Sequence, residues 1–156
     1  GAVYVYTRSG STWSLQQKVT PSSGNNGGQF GDSVSLDTDA MAVGATKNNE
    51  KGTGAGMVFT FTRSGTTWSQ EAKIEASNAV SNDQFGISVS LSGSTLAAGC
   101  PIRTKGSTYT AGMVEVFTKS GSTWSSQQVV TADAAQQGDK LGTSVALDGD
   151  TLVAGA

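Results

Sequence analysis

Three near-copies of one unit run through this chain, so any admissible fold must repeat with them. Trp13, Trp68 and Trp124 stand 55 and 56 residues apart. Each sits in the same setting: Arg8-Ser9-Gly10-Ser11-Thr12-Trp13-Ser14, Arg63-Ser64-Gly65-Thr66-Thr67-Trp68-Ser69 and Lys119-Ser120-Gly121-Ser122-Thr123-Trp124-Ser125. A second block keeps the same phase, as Phe30-Gly31-Asp32-Ser33-Val34-Ser35-Leu36, Phe85-Gly86-Ile87-Ser88-Val89-Ser90-Leu91 and Leu141-Gly142-Thr143-Ser144-Val145-Ala146-Leu147. A third reads Ala42-Val43-Gly44-Ala45, Ala97-Ala98-Gly99-Cys100 and Val153-Ala154-Gly155-Ala156. The units fall at about 1–55, 56–111 and 112–156.

Each unit divides into four strand-like runs. Run A alternates around Ser33-Val34-Ser35-Leu36, as a half-buried strand does. Run B, Ala40-Met41-Ala42-Val43 and its copies, is short and nearly all apolar, which fits a strand covered on both faces. Run C is Val3-Tyr4-Val5-Tyr6, Val58-Phe59-Thr60-Phe61 and Val114-Glu115-Val116-Phe117. Run D follows the Ser-Gly turn and carries Gln, Ser and Lys, which suits an exposed edge. Asp148-Gly149 and Ser92-Gly93 mark tight turns between A and B. The B–C and D–A connections run to about ten residues, rich in Gly, Asn, Ser and Thr. Four antiparallel strands at this period describe the blade of a β-propeller, and a twelve-stranded sandwich would not need the repetition.

Composition agrees, because Gly, Ser and Thr fill 61 of 156 positions, a mixture that disfavours long helices. It also narrows the chemistry. With no His there is no His-dependent triad and no His-ligated metal, and with one Cys there is no internal disulfide. A net charge of −2 gives no footprint for nucleic acid, and no apolar run approaches a membrane span. No enzymatic activity, no cofactor, no nucleic acid and no membrane insertion are expected.

Blocks A and B together resemble the FG-GAP repeat, the blade unit of integrin α-subunit propellers. The FG half is Phe30-Gly31 and Phe85-Gly86, with Leu141-Gly142 departing in the third copy. The GAP half reads Gly44-Ala45-Thr46, Gly99-Cys100-Pro101 and Gly155-Ala156. The resemblance implies an all-β fold, a β-propeller of four-stranded antiparallel blades, with about three blade-equivalents in this chain. Many integrin-type blades carry a calcium loop patterned Asp-x-Asp/Asn-x-Asp-Gly between strands A and B. Here only Asp37, Asp39, Asp148 and Asp150 offer carboxylates, in loops too short to supply six to eight oxygens. They read as turn-forming residues before they read as a calcium site.

A residue fixed in every repeat serves what repeats, which is the architecture. Trp13, Trp68, Trp124, Phe30, Phe85 and Leu141 are therefore expected to pack between blades rather than to stack ligands. Cys100 stands where the sister copies have Ala45 and Ala156, and reads as a small buried apolar residue. Arg8, Arg63 and Lys119 read as a solvated rim.

The long loops differ between copies while the strands do not, and function concentrates on loops held by a rigid frame. Asn25, Asn48, Asn49, Asn82, Arg103 and Tyr109 are the candidate partner-binding residues. The reading is a non-catalytic extracellular or cell-surface binding and adhesion module that meets a protein partner through its B–C and D–A loop face. A structural subunit of an extracellular assembly and a carbohydrate-binding accessory domain are the alternatives. The strand order, C-D, A-B-C-D, A-B-C-D, A-B, gives too few blades to close a ring alone. The start at Gly1 without Met and the stop at Ala156 read as a window on a longer propeller; closure by two chains or a head-to-tail filament are the other solutions.

Overall fold

In the computed structural model, which describes residues 1–22, 27–104 and 108–156, every regular element is a β-strand. The twelve are β1 (Val3–Ser9), β2 (Thr12–Val19), β3 (Phe30–Asp37), β4 (Ala40–Ala45), β5 (Met57–Ser64), β6 (Thr67–Ile74), β7 (Val89–Ser92), β8 (Thr95–Cys100), β9 (Met113–Ser120), β10 (Thr123–Val130), β11 (Ser144–Asp148) and β12 (Thr151–Gly155). They form two four-stranded antiparallel sheets, β3-β4-β5-β6 and β7-β8-β9-β10, flanked by the two-stranded sheets β1-β2 and β11-β12. These are propeller blades in an open stack, with runs A to D in order across each sheet. The two outer sheets are half-blades, C-D at one end and A-B at the other.

Two-residue turns close the hairpins, and the first turn residue takes a positive φ: Gly10 59°, Gly65 60° and Gly121 61° between C and D, then Thr38 51°, Gly93 56° and Gly149 52° between A and B. A positive φ matches the turn to the right-handed twist of its strands. A Cβ added at Gly10, Gly65, Gly93, Gly121 or Gly149 would meet nothing within 4 Å, so conformation alone selects glycine there. Only Thr38 holds this shape with a β-branched side chain.

The C–D pairing slips at the same place in every copy, between Val5/Tyr6, Thr60/Phe61 and Ser126/Gln128. The extra residue on strand D is Gln16, Glu71 or Gln127. Such a bulge re-aims a side chain, and here it turns the bulged residue toward the next blade. The Trp68 indole N–H donates to Gln16 Oε1 at 3.2 Å, and the Trp124 indole N–H to Glu71 Oε2 at 3.5 Å.

The core lies between blades. One cluster joins Val3, Val5 and Val19 of the first half-blade to Met41, Val43, Phe59, Phe61 and Trp68. A second joins Ala42, Val58 and Ile74 to Val89, Leu91, Leu96 and Phe117. Phe30 packs edge-on against Phe59 and Phe61, with ring centres 5.5 and 5.8 Å away, and Phe85 against Phe117 at 6.0 Å. β4 and β8 are buried along nearly their whole length because blades cover both of their faces.

The repeated glycines explain this stacking. Ser33 Oγ donates to the Gly86 carbonyl at 2.7 Å, and Ser88 Oγ to the Gly142 carbonyl at 2.7 Å, each reaching one blade forward. A Cβ on Gly44 would lie 1.9 Å from the Gly86 oxygen, and one on Gly99 would lie 1.9 Å from the Gly142 oxygen. Gly44 and Gly99 of the first two GAP blocks thus leave room for the carbonyl of the following FG block.

Two stability predictions follow from these geometries. Thr38→Gly relieves a strain of about 1–2 kcal/mol against a glycine entropy cost of roughly 0.5–1 kcal/mol. Urea unfolding is expected to show a net gain of about 0.5–1 kcal/mol. Gly99→Ala forces a backbone shift and is expected to cost about 3 kcal/mol in the same assay.

Candidate functional site

The long connections meet on one face and are stitched to one another through main-chain bonds. Asn82 N–H donates to the Thr53 carbonyl at 2.8 Å, Gln84 N–H to Gly54 at 3.1 Å and Phe85 N–H to Ala55 at 2.9 Å. One blade further on, Lys140 N–H donates to Thr110 at 3.1 Å and Leu141 N–H to Ala111 at 3.0 Å. Among the described residues, each B–C loop is therefore tied by main-chain bonds to the D–A loop that follows.

A groove of ≈ 630 Å³ opens on this face, lined by Val80, Asp83, Ile102, Arg103, Thr104 and Tyr109 among others. Tyr109 is 67% exposed and Val80 53% exposed on its walls. Beneath them Asp83 and Arg103 form an ion pair whose side chains are only 6% and 15% exposed. Asp83 also accepts the Val80 N–H at 2.8 Å, so one carboxylate fixes both the arginine and the D–A loop. Burying such a pair is tolerable only when both charges are answered. Under the pair, the Cys100 thiol donates to the Asp83 carbonyl at 3.3 Å. Burial, and then the negative charge of Asp83, push that thiol up to about 12, which keeps it protonated and inert at neutral pH.

Of the candidate residues, the structure brings Arg103 and Tyr109 together. Asn82 lies on the neighbouring stretch of loop face, joined to Thr53. Asn48 is fully buried, and its Oδ1 accepts the Glu50 N–H at 2.9 Å, shaping the B–C loop from within. Asn49 does similar work, its Oδ1 accepting the Gly54 N–H at 2.7 Å. Asn25 lies outside the described residues. Val80 and Asp83 are not among the candidates from sequence; a signal for Asp83 is present in its recurrence as Asp139 in the third copy, which accepts the Gln136 N–H at 2.6 Å as Asp83 accepts that of Val80.

The four Asp candidates lie at two A–B turns, β3–β4 and β11–β12. Asp37 accepts the Gly93 N–H of the next blade at 2.6 Å, and Asp39 pairs with Arg63 at 2.6 Å. Asp148 and Asp150 flank the exposed β11–β12 turn. Among the described residues no three His, Cys, Asp or Glu side chains come together as ligands.

Trp68 is 4% exposed and Trp124 half-buried, each with a strand D in front of it, whereas Trp13 has none in front and is 63% exposed. Phe30 and Phe85 are buried, and Leu141 is half-buried. Across each C–D hairpin the basic residue sits over its own tryptophan, at 5.8 Å for Arg8 on Trp13, 5.6 Å for Arg63 on Trp68 and 5.7 Å for Lys119 on Trp124. The rim charges thus shield the indoles by cation–π contact, a pairing that their constant five-residue spacing encodes.

The FG-GAP repeat matches residues 13–61, 68–117 and 124–156, each match opening near one of the three tryptophans. The chain belongs to the FG-GAP repeat family, whose blades are typical of integrin-like binding modules and occur in extracellular and surface proteins. Comparison with curated proteins gives no match. Among the described residues no helix is long and apolar enough to cross a membrane.

Removing one partner of the buried ion pair leaves the other charge stranded. Arg103→Ala is expected to cost about 3 kcal/mol in urea unfolding. The double variant Arg103→Met with Asp83→Asn, which removes both charges and keeps an acceptor for the Val80 N–H, is expected to recover most of that loss.

Proposed function

We propose that this chain is a non-catalytic binding and adhesion module that acts outside the cell and recognises a protein partner through its loop face. The observation that carries the reading is the pairing of Tyr109 and Val80 as exposed apolar side chains on the walls of a groove with a rigid, ion-paired floor. An aromatic anchor beside an arginine is the common composition of an interface hot spot. The absence of His from the sequence and the inert state of Cys100 leave neither residue type to supply a general base or nucleophile.

The test is saturable binding of the labelled chain to surface and secreted material from its source cells. Tyr109→Ala is expected to weaken binding about 30-fold, the loss of one hot-spot side chain of about 2 kcal/mol. Protease treatment of the surface is expected to abolish it. Binding that survives protease and disappears after glycosidase treatment would instead assign the groove to glycans.

A further inference from the structure

Grooves in equivalent repeat positions run along the first two seams between sheets, where strand D of one blade faces the next blade, and their chemistry differs. The first, of ≈ 370 Å³, is lined by Lys18, Ser22, Phe61, Trp68 and Gln70 among others. The second, of ≈ 520 Å³, is lined by their repeat counterparts Lys73, Ser77, Phe117, Trp124 and Ser126. In the first seam Gln70 spans the groove: its Oε1 accepts the Ser22 N–H at 2.9 Å and the Ser22 hydroxyl at 3.2 Å. The matching position of strand C in that blade holds the fully buried Phe59.

In the second seam both positions change together. Ser126 stands for Gln70 and is too short to span, and Glu115 stands for Phe59. Glu115 takes over the contact from behind, accepting the Ser77 N–H at 3.0 Å and the Ser126 hydroxyl at 2.5 Å. The exchange moves the acceptor from the mouth of the groove to its back wall and leaves the groove wider. A packed seam does not require this, since Phe59 with Gln70 does the same structural work without a charge.

Glu115 is fully buried, and both of its donors are neutral groups. The lysines around this groove are engaged elsewhere: Lys51 with Glu75 at 3.1 Å, Lys73 with Glu50 at 2.8 Å, and Lys119 with Glu71 at 2.5 Å. Glu50, Glu71, Glu75 and Glu115 against Lys51, Lys73 and Lys119 leave a net charge of −1, and among the described residues no ion pair reaches Glu115. A buried carboxylate is costly without an opposite charge.

We propose that the second groove binds an alkylammonium group, one positive charge on an apolar arm, with Glu115 as its counter-ion. The ammonium enters past Ser126, whose exposed side chain turns its hydroxyl aside, and donates to the Glu115 carboxylate in its place. The carbon arm lies along Phe117 and Trp124. One such cation brings the sum of charges to zero. Two sources carry this chemistry, a lysine side chain presented by a partner protein and a free small amine. The groove shares no lining residue with the one at Tyr109, so the proposal is independent of the loop-face reading.

Titration of the nitrogen-15-labelled chain with n-butylammonium is expected to shift the Trp124 indole and Ser77 amide signals with a Kd of about 1 mM. Neutral n-butanol is expected to shift neither. Glu115→Gln, which keeps an acceptor for the Ser77 N–H and removes the charge, is expected to weaken butylammonium binding at least about tenfold. Glu115→Phe with Ser126→Gln rebuilds the first seam. It is expected to keep the strand signal in circular dichroism and to lose binding, so the test holds even where Glu115→Gln fails to fold. Capped lysine that binds like butylammonium assigns the groove to a lysine side chain, and its exclusion with butylammonium retained assigns the groove to small amines. Silence of both signals toward butylammonium, equal binding of butanol, or unchanged binding in either variant would each overturn the proposal.

Discussion

Everything in this molecule depends on how closely one blade's backbone approaches the next. The contact is made where the Gly44 and Gly99 Cα atoms face the Gly86 and Gly142 carbonyls, with a serine hydroxyl bridging each approach. Because the innermost strands meet at backbone distance, apolar side chains further out can interlock, and the core becomes a series of layers between sheets. The two conserved-phase blocks of the sequence are the two sides of this one contact. That is the physical content of the FG and GAP glycines: one lends a carbonyl at positive φ, and the other clears the space for it.

A stack built this way transmits order outward to its edge loops. The strand pairings carry each B–C loop to the D–A loop behind it, and main-chain bonds join them before any side chain contributes. On that backbone the loops differ in sequence, and among the described residues Tyr109 and Val80 stand at one groove with a buried ion pair. The neighbouring B–C loop, of equal length class, spends its asparagines internally on the Glu50 and Gly54 amides. Rigidity and variability are thus divided between backbone and side chain, which is the arrangement a recognition surface needs.

Much of the fold was legible in the sequence. Periodicity placed the strands, Ser-Gly and Asp-Gly placed the turns, and the phase of Trp13, Trp68 and Trp124 ordered the blades. The candidate site was legible only in part. Arg103 and Tyr109 lie in loops that repeat analysis marks as divergent, but Asp83 and Val80 belong to a different loop, and nothing local says the two loops meet. Asn48 looks like any polar loop residue and is fully buried. Glu115 is a sharper case. Strand alternation with valines on both sides would turn it outward, yet it occupies the position of Phe59 and is fully buried, answered by the Ser77 N–H at 3.0 Å and the Ser126 hydroxyl at 2.5 Å.

By itself the sequence determined the repeating unit, its four strands, its turn conformations and its family, because each of these is written in short-range patterns of glycine, alternation and spacing. The tertiary structure decided which members of a repeated set are buried. Trp13 and Trp68 are the same residue in the same motif, and one is 63% exposed and the other 4%. Val34 and Val89 differ in the same way. Burial in a propeller is conferred by the neighbouring blade, not by the strand's own residues, and a neighbour's presence is a long-range fact that no local pattern records.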